Sequence, residues 1–409
     1  MADKISFEAP RGMRDFYPED MTWRNKVFDA FRASADAFGF EPYDACVVES
    51  YDLLARKAGE EVGEQIYHFF DKSERHIALR AEMTPTLARM VAQRQKELPF
   101  PLKWTTIAQC FRYERMTKGR KREHYQWNLD IIGEESVMAE VEVLGAAIDA
   151  LLRMGLGRDA FKVHVSSRKF LSKLLEESGV APERHAQIFL ALDKRGKMPD
   201  AEIAAMLKDG GLSAAEVDAA FGIMDTKSFA GFAELEELFR LAETAGFADL
   251  LEFDISVIRG LSYYTGTVFE CFDAKKELRA IFGGGRYDNL LTAIGGEPTP
   301  AVGLGFGDVV VTELLKATFG EAANAGRRGV AVGFMFPEQR EAALALAAKL
   351  RRGGERVDLA LSAQKPKKFF SHAASGSAAK AVFVGPDDVA RGTANMKDLE
   401  TRTEEEICL

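Results

Sequence analysis

Two β-favouring runs joined by a basic loop constrain this chain most. Trp104 to Tyr113 and Tyr125 to Ile132 are rich in Thr, Ile, Trp, Tyr and Phe, and Glu114 to His124 lies between them with Gly119 inside it. Runs of this kind around such a loop predict a long antiparallel hairpin. From Arg112 to Arg122 the basic residues are Arg112, Arg115, Lys118, Arg120, Lys121 and Arg122, with Glu114 the one acid. A hairpin tip this basic is either a solvated end or a phosphate-binding loop. Strand side chains repeat every two residues, so Arg112 and Glu114 are expected on one face. There they form either a surface ion pair or a hold for one phosphate and one donor group of a nucleotide.

The rest of the chain supplies partners for this hairpin. Val27 to Phe38 reads as an amphipathic helix closed by Gly39, and Glu134 to Met154 as a second helix. Leu79 to Thr86 reads as a strand entering a helix, with Thr84 as its N-cap and Pro85 at the first helical position. Residues 168–245 show short helical periods and few β-branched runs, which predicts a helical insertion. Strands are expected at Phe253 to Ile258, Thr265 to Phe272, Leu278 to Phe282 and Val302 to Phe306, with Gly283-Gly284-Gly285 after the third.

A small-residue linker near Ala322 to Gly329 precedes a change of pattern. Strands at Val330 to Phe336, Arg356 to Leu361 and Ala381 to Val384 alternate with helices at Glu338 to Arg352 and Lys367 to Ser375, as in βαβ units. The expected architecture is α+β: an antiparallel sheet flanked by helices over residues 1–325, carrying the insertion, then an α/β domain over 326–409.

Composition narrows the class. The 409 residues suit two or three domains, and 47% hydrophobic with 29% charged residues is a globular balance. No apolar run reaches the roughly 18 residues that span a bilayer, and Met1 to Pro10 has no signal-peptide core, so a protein of the cytoplasm is expected, with no membrane partner. Cys46, Cys110, Cys271 and Cys408 are too scattered for a disulfide framework or zinc knuckle, and the six histidines lack ligand spacing, so no metal site is expected. The net charge is −9, yet residues 329–409 hold 12 Lys or Arg against 11 Asp or Glu, so the acidity lies upstream. A C-terminal module less acidic than the body suits a phosphate backbone.

A second cluster is Val257-Ile258-Arg259-Gly260-Leu261-Ser262-Tyr263-Tyr264-Thr265-Gly266-Thr267-Val268-Phe269-Glu270. Its paired tyrosines are either core aromatics or the walls of a ligand site. This run resembles the histidine-specific signature of the histidyl-tRNA synthetases, with Ser262 where most members carry Asp. Phe111-Arg112-Tyr113-Glu114 resembles motif 2 of class II aminoacyl-tRNA synthetases. Ala9 to Asp15 resembles the entry to motif 1, the dimer-forming segment. Arg80-Ala81-Glu82-Met83-Thr84, the pair Gln126 and Asp130, and Gly283 to Asp288, which resembles a glycine-rich turn behind the pocket, follow the family in order and spacing.

The resemblance implies a class II catalytic domain and a C-terminal anticodon-binding domain. It implies ATP and L-histidine as substrates, Mg²⁺ with the ATP, tRNA(His) as acceptor, and a homodimer. Arg112 and Arg259 would act on the α-phosphate and Glu114 would read the adenine. Histidine would be held by Glu82, Met83, Thr84, Arg112, Gln126, Asp130, Arg259, Tyr263 and Tyr264. An acceptor and a carboxylate suit imidazole, whose two nitrogens need different partners. The chain departs from the family at motif 3: Gly303-Leu304-Gly305-Phe306-Gly307-Asp308-Val309-Val310 puts Val309 at the usual Glu and Val310 at the usual Arg, which contacts the γ-phosphate. That departure keeps a rival in view, the synthetase-like regulatory subunit of ATP phosphoribosyltransferase, which binds rather than catalyses.

Overall fold

A computed structural model describes residues 6–57, 64–117, 119–196, 198–258, 263–320, 327–376 and 378–409. It divides into two compact units, Met1–Ala322 and Ala323–Leu409. The first unit has strands β1 (Glu41–Pro42), β2 (Val48–Ser50), β3 (His68–Phe70), β4 (His76–Leu79), β5 (Leu102–Phe111), β6 (Glu123–Ile132), β7 (Phe161–Ser167), β8 (Leu251–Phe253), β9 (Thr267–Asp273), β10 (Phe282–Arg286) and β11 (Ala301–Gly307). Among the described residues its main sheet runs β1-β5-β6-β11-β10-β9-β7-β8. It is antiparallel through the centre, with parallel pairs at its two edges, β1 with β5 and β7 with β8. β2, β4 and β3 form a small separate sheet. The basic hairpin is β5–β6, paired from Leu102↔Ile132 to Phe111↔Glu123.

One face of the main sheet is covered by two helices, Pro18–Ala37 and Met138–Arg153. Phe31 on the first is fully buried, stacks on Trp127 of β6 at 4.5 Å, and meets Phe306 of β11 edge-on at 4.7 Å. The Ser34 hydroxyl donates to the Ala146 carbonyl of the second helix at 2.7 Å, joining the two. Because strand side chains alternate, Gln126, Asn128 and Asp130 turn to the opposite face. The register sets Gly303, Gly305 and Gly307 beside Asp130, Asn128 and Gln126, and Gly283 and Gly285 beside Gly305 and Gly303. The centre of that second face is therefore a floor of glycine. The insertion lies between β7 and β8, with helices Arg168–Glu177, Pro182–Leu192, Asp200–Asp209, Ala214–Gly222 and Ala233–Thr244.

Several expected boundaries move, each for a local reason. The strand expected over Phe253 to Ile258 stops at Phe253, because the Asp254 carboxylate accepts from the Ser256 amide at 3.0 Å and draws the chain into a turn. Gly283 to Gly285 is not a turn: β10 runs straight through it, between neighbours too close for side chains. A Cβ on Gly284 would stand 2.1 Å from the Gly303 carbonyl oxygen, and one on Gly285 2.5 Å from that of Thr267. Thr84 does not cap its helix; Thr84–Arg94 starts on it, with Met83 at the cap position. Arg112 and Glu114 lie just past the end of β5, so they do not share a strand face. The Arg112 amide still donates to the Arg122 carbonyl at 2.9 Å, which closes the base of the loop.

The second unit is built on β12 (Val330–Phe334), β13 (Val357–Leu359), β14 (Lys380–Val384), β15 (Thr393–Asp398) and β16 (Glu404–Cys408), ordered β13-β12-β14-β15-β16. The first three are parallel, as the alternating pattern predicts, and the last two add an antiparallel edge that it does not. Glu404, Glu405 and Glu406 hide β16 from a propensity reading, and charge on an edge strand discourages unwanted pairing. The unit has its own core of Val330, Val332, Phe334, Leu346, Val382, Val384 and neighbours.

Candidate active site

The glycine floor carries two cavities that meet at Arg112. The smaller, about 190 Å³, is lined by Glu82, Thr84, Arg112, Gln126, Tyr263, Tyr264, Tyr287 and the floor glycines. The larger, about 520 Å³, takes in Arg112, Glu114, Arg120, Lys121, His124, Gln126, Glu270, Arg279, Val309 and Val310, among others. Arg112, Gln126, Gly283 and Gly305 border both. Arg112 is held at this junction by its Nε–H, which donates to the Ala81 carbonyl at 2.9 Å.

The smaller cavity is polar at its base and aromatic at its side. The Tyr263 hydroxyl donates to the Glu82 carboxylate at 3.2 Å, and Tyr263 and Tyr264 pack with their ring centres 4.9 Å apart. Below them, Tyr287 donates to Asp130 Oδ1 at 2.5 Å. Burial pushes the Asp130 carboxyl up to about 7; the Tyr287 hydrogen bond opposes the rise and the Glu82 charge adds to it. Its other oxygen, Oδ2, is buried with no hydrogen-bond partner among the described residues. A buried acceptor without a donor is costly, so this atom is suited to an N–H that a ligand brings. Gln126 is oriented by its neighbours: its Nε2 donates to Asn128 Oδ1 at 3.2 Å and its Oε1 lies 3.3 Å from His124 Nε2. Burial and the nearby Arg112 charge push the His124 imidazole down to about 3, so it stays neutral there.

Gly303 and Gly305 make this arrangement possible. A Cβ at Gly303 would fall 2.0 Å from Asp130 Oδ1, and one at Gly305 2.6 Å from Gln126 Nε2. In the larger cleft, Glu114 is buried and its carboxylate pairs with Arg120, with Arg112 Nη1 3.9 Å away. Asp308, at the start of helix Asp308–Phe319, is held by Arg14 at 2.9 Å and by the Tyr125 amide at 2.9 Å.

Of the residues expected from the sequence, Glu82, Thr84, Arg112, Glu114, Gln126, Tyr263 and Tyr264 line these two cavities, and Asp130 lies against the smaller one through Tyr287 and Gly303. Met83 does not line them: its side chain is fully buried among Ala108 and Cys110. Arg259 falls outside the described residues. Tyr287, His124 and Glu270 belong to the cavities without having been picked out, although the strand alternation that places Gln126 and Asp130 also points to Glu270, opposite Gly283.

Residues 12–307 match the family described as Histidyl-tRNA synthetase, and residues 329–409 match the one described as Anticodon binding domain. A relative from Arabidopsis thaliana, "Histidine--tRNA ligase, chloroplastic/mitochondrial", is 42% identical over 409 residues, spanning 97% of this chain and 84% of its own length. The chain belongs to the histidyl-tRNA synthetase family. It is an enzyme of the aminoacyl-tRNA synthetase class, with the function of a histidine–tRNA ligase. Among solved structures, a histidyl-tRNA synthetase from Nostoc sp. superposes with a TM-score of 0.78 at 22% identity, over 99% of this chain and 97% of that one. A Bacillus halodurans protein described as an ATP phosphoribosyltransferase regulatory subunit/histidyl-tRNA synthetase reaches 0.76 at 23%, over 93% and 99%. At these identities the two superpositions establish the synthetase fold alone, and the fold does not separate the synthetase from the rival. The sequence match across both domains does, in favour of the synthetase.

Proposed function

We propose that the chain condenses L-histidine with ATP in the paired cavities and passes the histidyl group to tRNA(His). The observation that carries this reading is the position of Arg112, at the one border where an amino acid in the smaller cavity would meet a nucleotide in the larger. A carboxylate oxygen of histidine forms a bond to the α-phosphorus, the bond from that phosphorus to pyrophosphate breaks, and pyrophosphate leaves. Negative charge builds on the phosphoryl oxygens, and a guanidinium fixed by a backbone carbonyl is a preorganised partner for it. Arg259 is the second cation we assign to this step, on the family resemblance. The terminal adenosine hydroxyl of the tRNA then attacks the acyl carbon, and AMP leaves.

Glu82 and Thr84 would receive the α-amino group, and Asp130 and Gln126 the imidazole nitrogens, with Tyr263 and Tyr264 as the cover. Glu114 would exchange its Arg120 partner for the adenine amino group. Glu270 offers a carboxylate on the cleft floor, a hard oxygen donor that fits Mg²⁺ shared with nucleotide phosphates. Such an ion would neutralise phosphate charge.

We place the acceptor end of the tRNA against the loop Arg115 to Arg122. The anticodon falls to the second unit, where Phe336 and Leu361 are exposed just beyond the carboxyl ends of β12 and β13 and Lys365, Lys367 and Lys368 follow. A homodimer would use the motif 1 side of the first unit. There an apolar groove of about 480 Å³ runs between helix Pro18–Ala37 and the β1–β5 edge, lined by Phe40, Pro42, Tyr43, Ile107 and Trp127 among others. The cytoplasm is the compartment we assign, on four free thiols of which Cys46 and Cys408 are exposed. Histidine-dependent ATP–pyrophosphate exchange by the purified chain, followed by charging of tRNA(His), tests the whole. Histidine binding without exchange at any Mg²⁺ concentration would return the regulatory reading.

A further inference from the structure

A nucleotide triphosphate lying beyond Arg112 brings several negative charges that the cleft must meet, so its cations matter by position. Among the described residues, those lining it besides Arg112 are Arg120, Lys121, Arg195 and Arg279. Val309 and Val310, in the first turn of helix Asp308–Phe319, give one wall no charge at all. Asp308, beside them, is already taken by Arg14 and the Tyr125 amide.

Arg279 stands next to that apolar wall. It lies on the connection between β9 and β10 and is exposed. It also lines a small recess of about 50 Å³ with Gly119, Glu277, Leu278, Val310 and Glu313. A Cβ built on Gly119 would lie 3.6 Å from Val310 Cγ2 and 3.9 Å from Arg279 Cδ, so the Arg279 stem and the Val310 side chain flank one point of the basic loop. The larger cleft is lined by both Val310 and Arg279, so a ligand there lies beside a guanidinium. Its planar fork suits the two oxygens of a phosphate group.

We propose that Arg279 supplies the cation at the pyrophosphate end of the cleft, holding the β- and γ-phosphates from the side that Val309 and Val310 leave uncharged. The proposal rests on the reading that this cleft takes ATP. When the carboxylate–phosphorus bond forms and the bond to the bridging oxygen breaks, the electron pair goes to pyrophosphate, and Arg279 meets the charge that arrives there. A cation acts by where it stands and not by its chain address, so an Arg on a connecting loop serves as well as one on a helix.

The test uses the full chain and inorganic pyrophosphate, AMP and ATP as probes. Wild type must first show histidine-dependent exchange; if it does not, the functional reading falls and the Arg279 assignment falls with it. Given exchange, Arg279→Ala should lower kcat/KM for ATP by about ten- to a hundredfold. It should weaken ATP and pyrophosphate binding while leaving AMP and histidine affinities as in wild type, and Arg279→Lys should recover part of the loss. Placing Val310→Arg in the Arg279→Ala background should restore ATP use. Because Val310 is largely buried and the double variant can fail to fold, the ratio of ATP to AMP affinity in Arg279→Ala decides alone. An unchanged ratio, or equal losses for AMP, ATP and histidine, overturns the assignment.

Discussion

Arg112 and Asp130 show how differently two charged side chains can be placed in one site. Arg112 borders both cavities and is held there by the Ala81 carbonyl at 2.9 Å, with the Glu114 carboxylate 3.9 Å away. Arg112→Ala should leave the melting temperature near wild type and cut pyrophosphate exchange about a hundredfold or more, the loss of roughly 3 kcal/mol of transition-state stabilisation. Near-normal exchange in a folded variant would remove it from the chemistry. Asp130 is a carboxyl that burial holds near 7 where about 4 is ordinary. The folded state therefore keeps this proton more firmly than the unfolded one. The stability it contributes is whole below about pH 4 and is lost as the pH rises through about 7. Asp130→Asn cannot ionise, so it should lose less stability than wild type between pH 5 and 8, read from melting temperatures at both. Parallel losses would show that Asp130 is not buried as described.

The same carboxyl should tie histidine binding to pH. Only the ionised form has Oδ2 open as an acceptor and no proton to place, so affinity should fall as the pH drops below about 7. Tyr287→Phe deletes the hydrogen bond that favours the carboxylate. Its binding midpoint, followed by calorimetry, should therefore lie at higher pH than that of wild type. The titration of histidine itself is common to both proteins, so the difference between them is the measurement. Coincident midpoints would mean that imidazole is read elsewhere.

At the scale of elements, the floor is two glycine-rich strands that serve different ends. On β11, Gly305 faces Gln126, the movable end of a side chain. On β10, Gly284 faces the backbone of β11, which cannot yield. Gly305→Ala should keep the fold and melting temperature while abolishing histidine binding. Gly284→Ala should cost roughly 1–3 kcal/mol of stability wherever histidine stands. Thermal melts paired with calorimetry separate the two, and equal destabilisation by both changes would contradict this division. The strand hairpin β5–β6, its basic loop and both covering helices were legible in the sequence because each is a local period with a local stop. The bend after Phe253 was not, because one carboxylate decided it, and the turn expected over Gly283 to Asp288 came from the family resemblance and not from any local freedom of glycine. Its role here is to let strands close in.

For the whole molecule, two units with separate sheets and separate cores imply separable tasks. A chain ending at Ala322 should retain pyrophosphate exchange within a few-fold of the full chain and lose most tRNA charging. Both reactions falling together, in a truncated protein that still melts cooperatively, would argue against a tRNA-binding role confined to the second unit.

What the sequence determined by itself was the set of parts. It showed a basic hairpin, an α+β body with a helical insertion, an α/β unit after the linker, and clusters whose order resembles one family. Local physics suffices for these: period, breakers and charge density act over a few residues. What only the tertiary structure decided was which parts share a surface. Register across three strands sets Asp130, Gly303 and Gly285 in one row and Asn128, Gly305 and Gly283 in the next, with Glu270 beyond. Packing sends Met83 into the core and leaves its neighbours Glu82 and Thr84 at the cavity. Arg279 and Val310, apart along the chain, come together beside Gly119, and no period in the sequence carries that, because the distance between them is set by two strand connections and the start of helix Asp308–Phe319 folding onto one sheet.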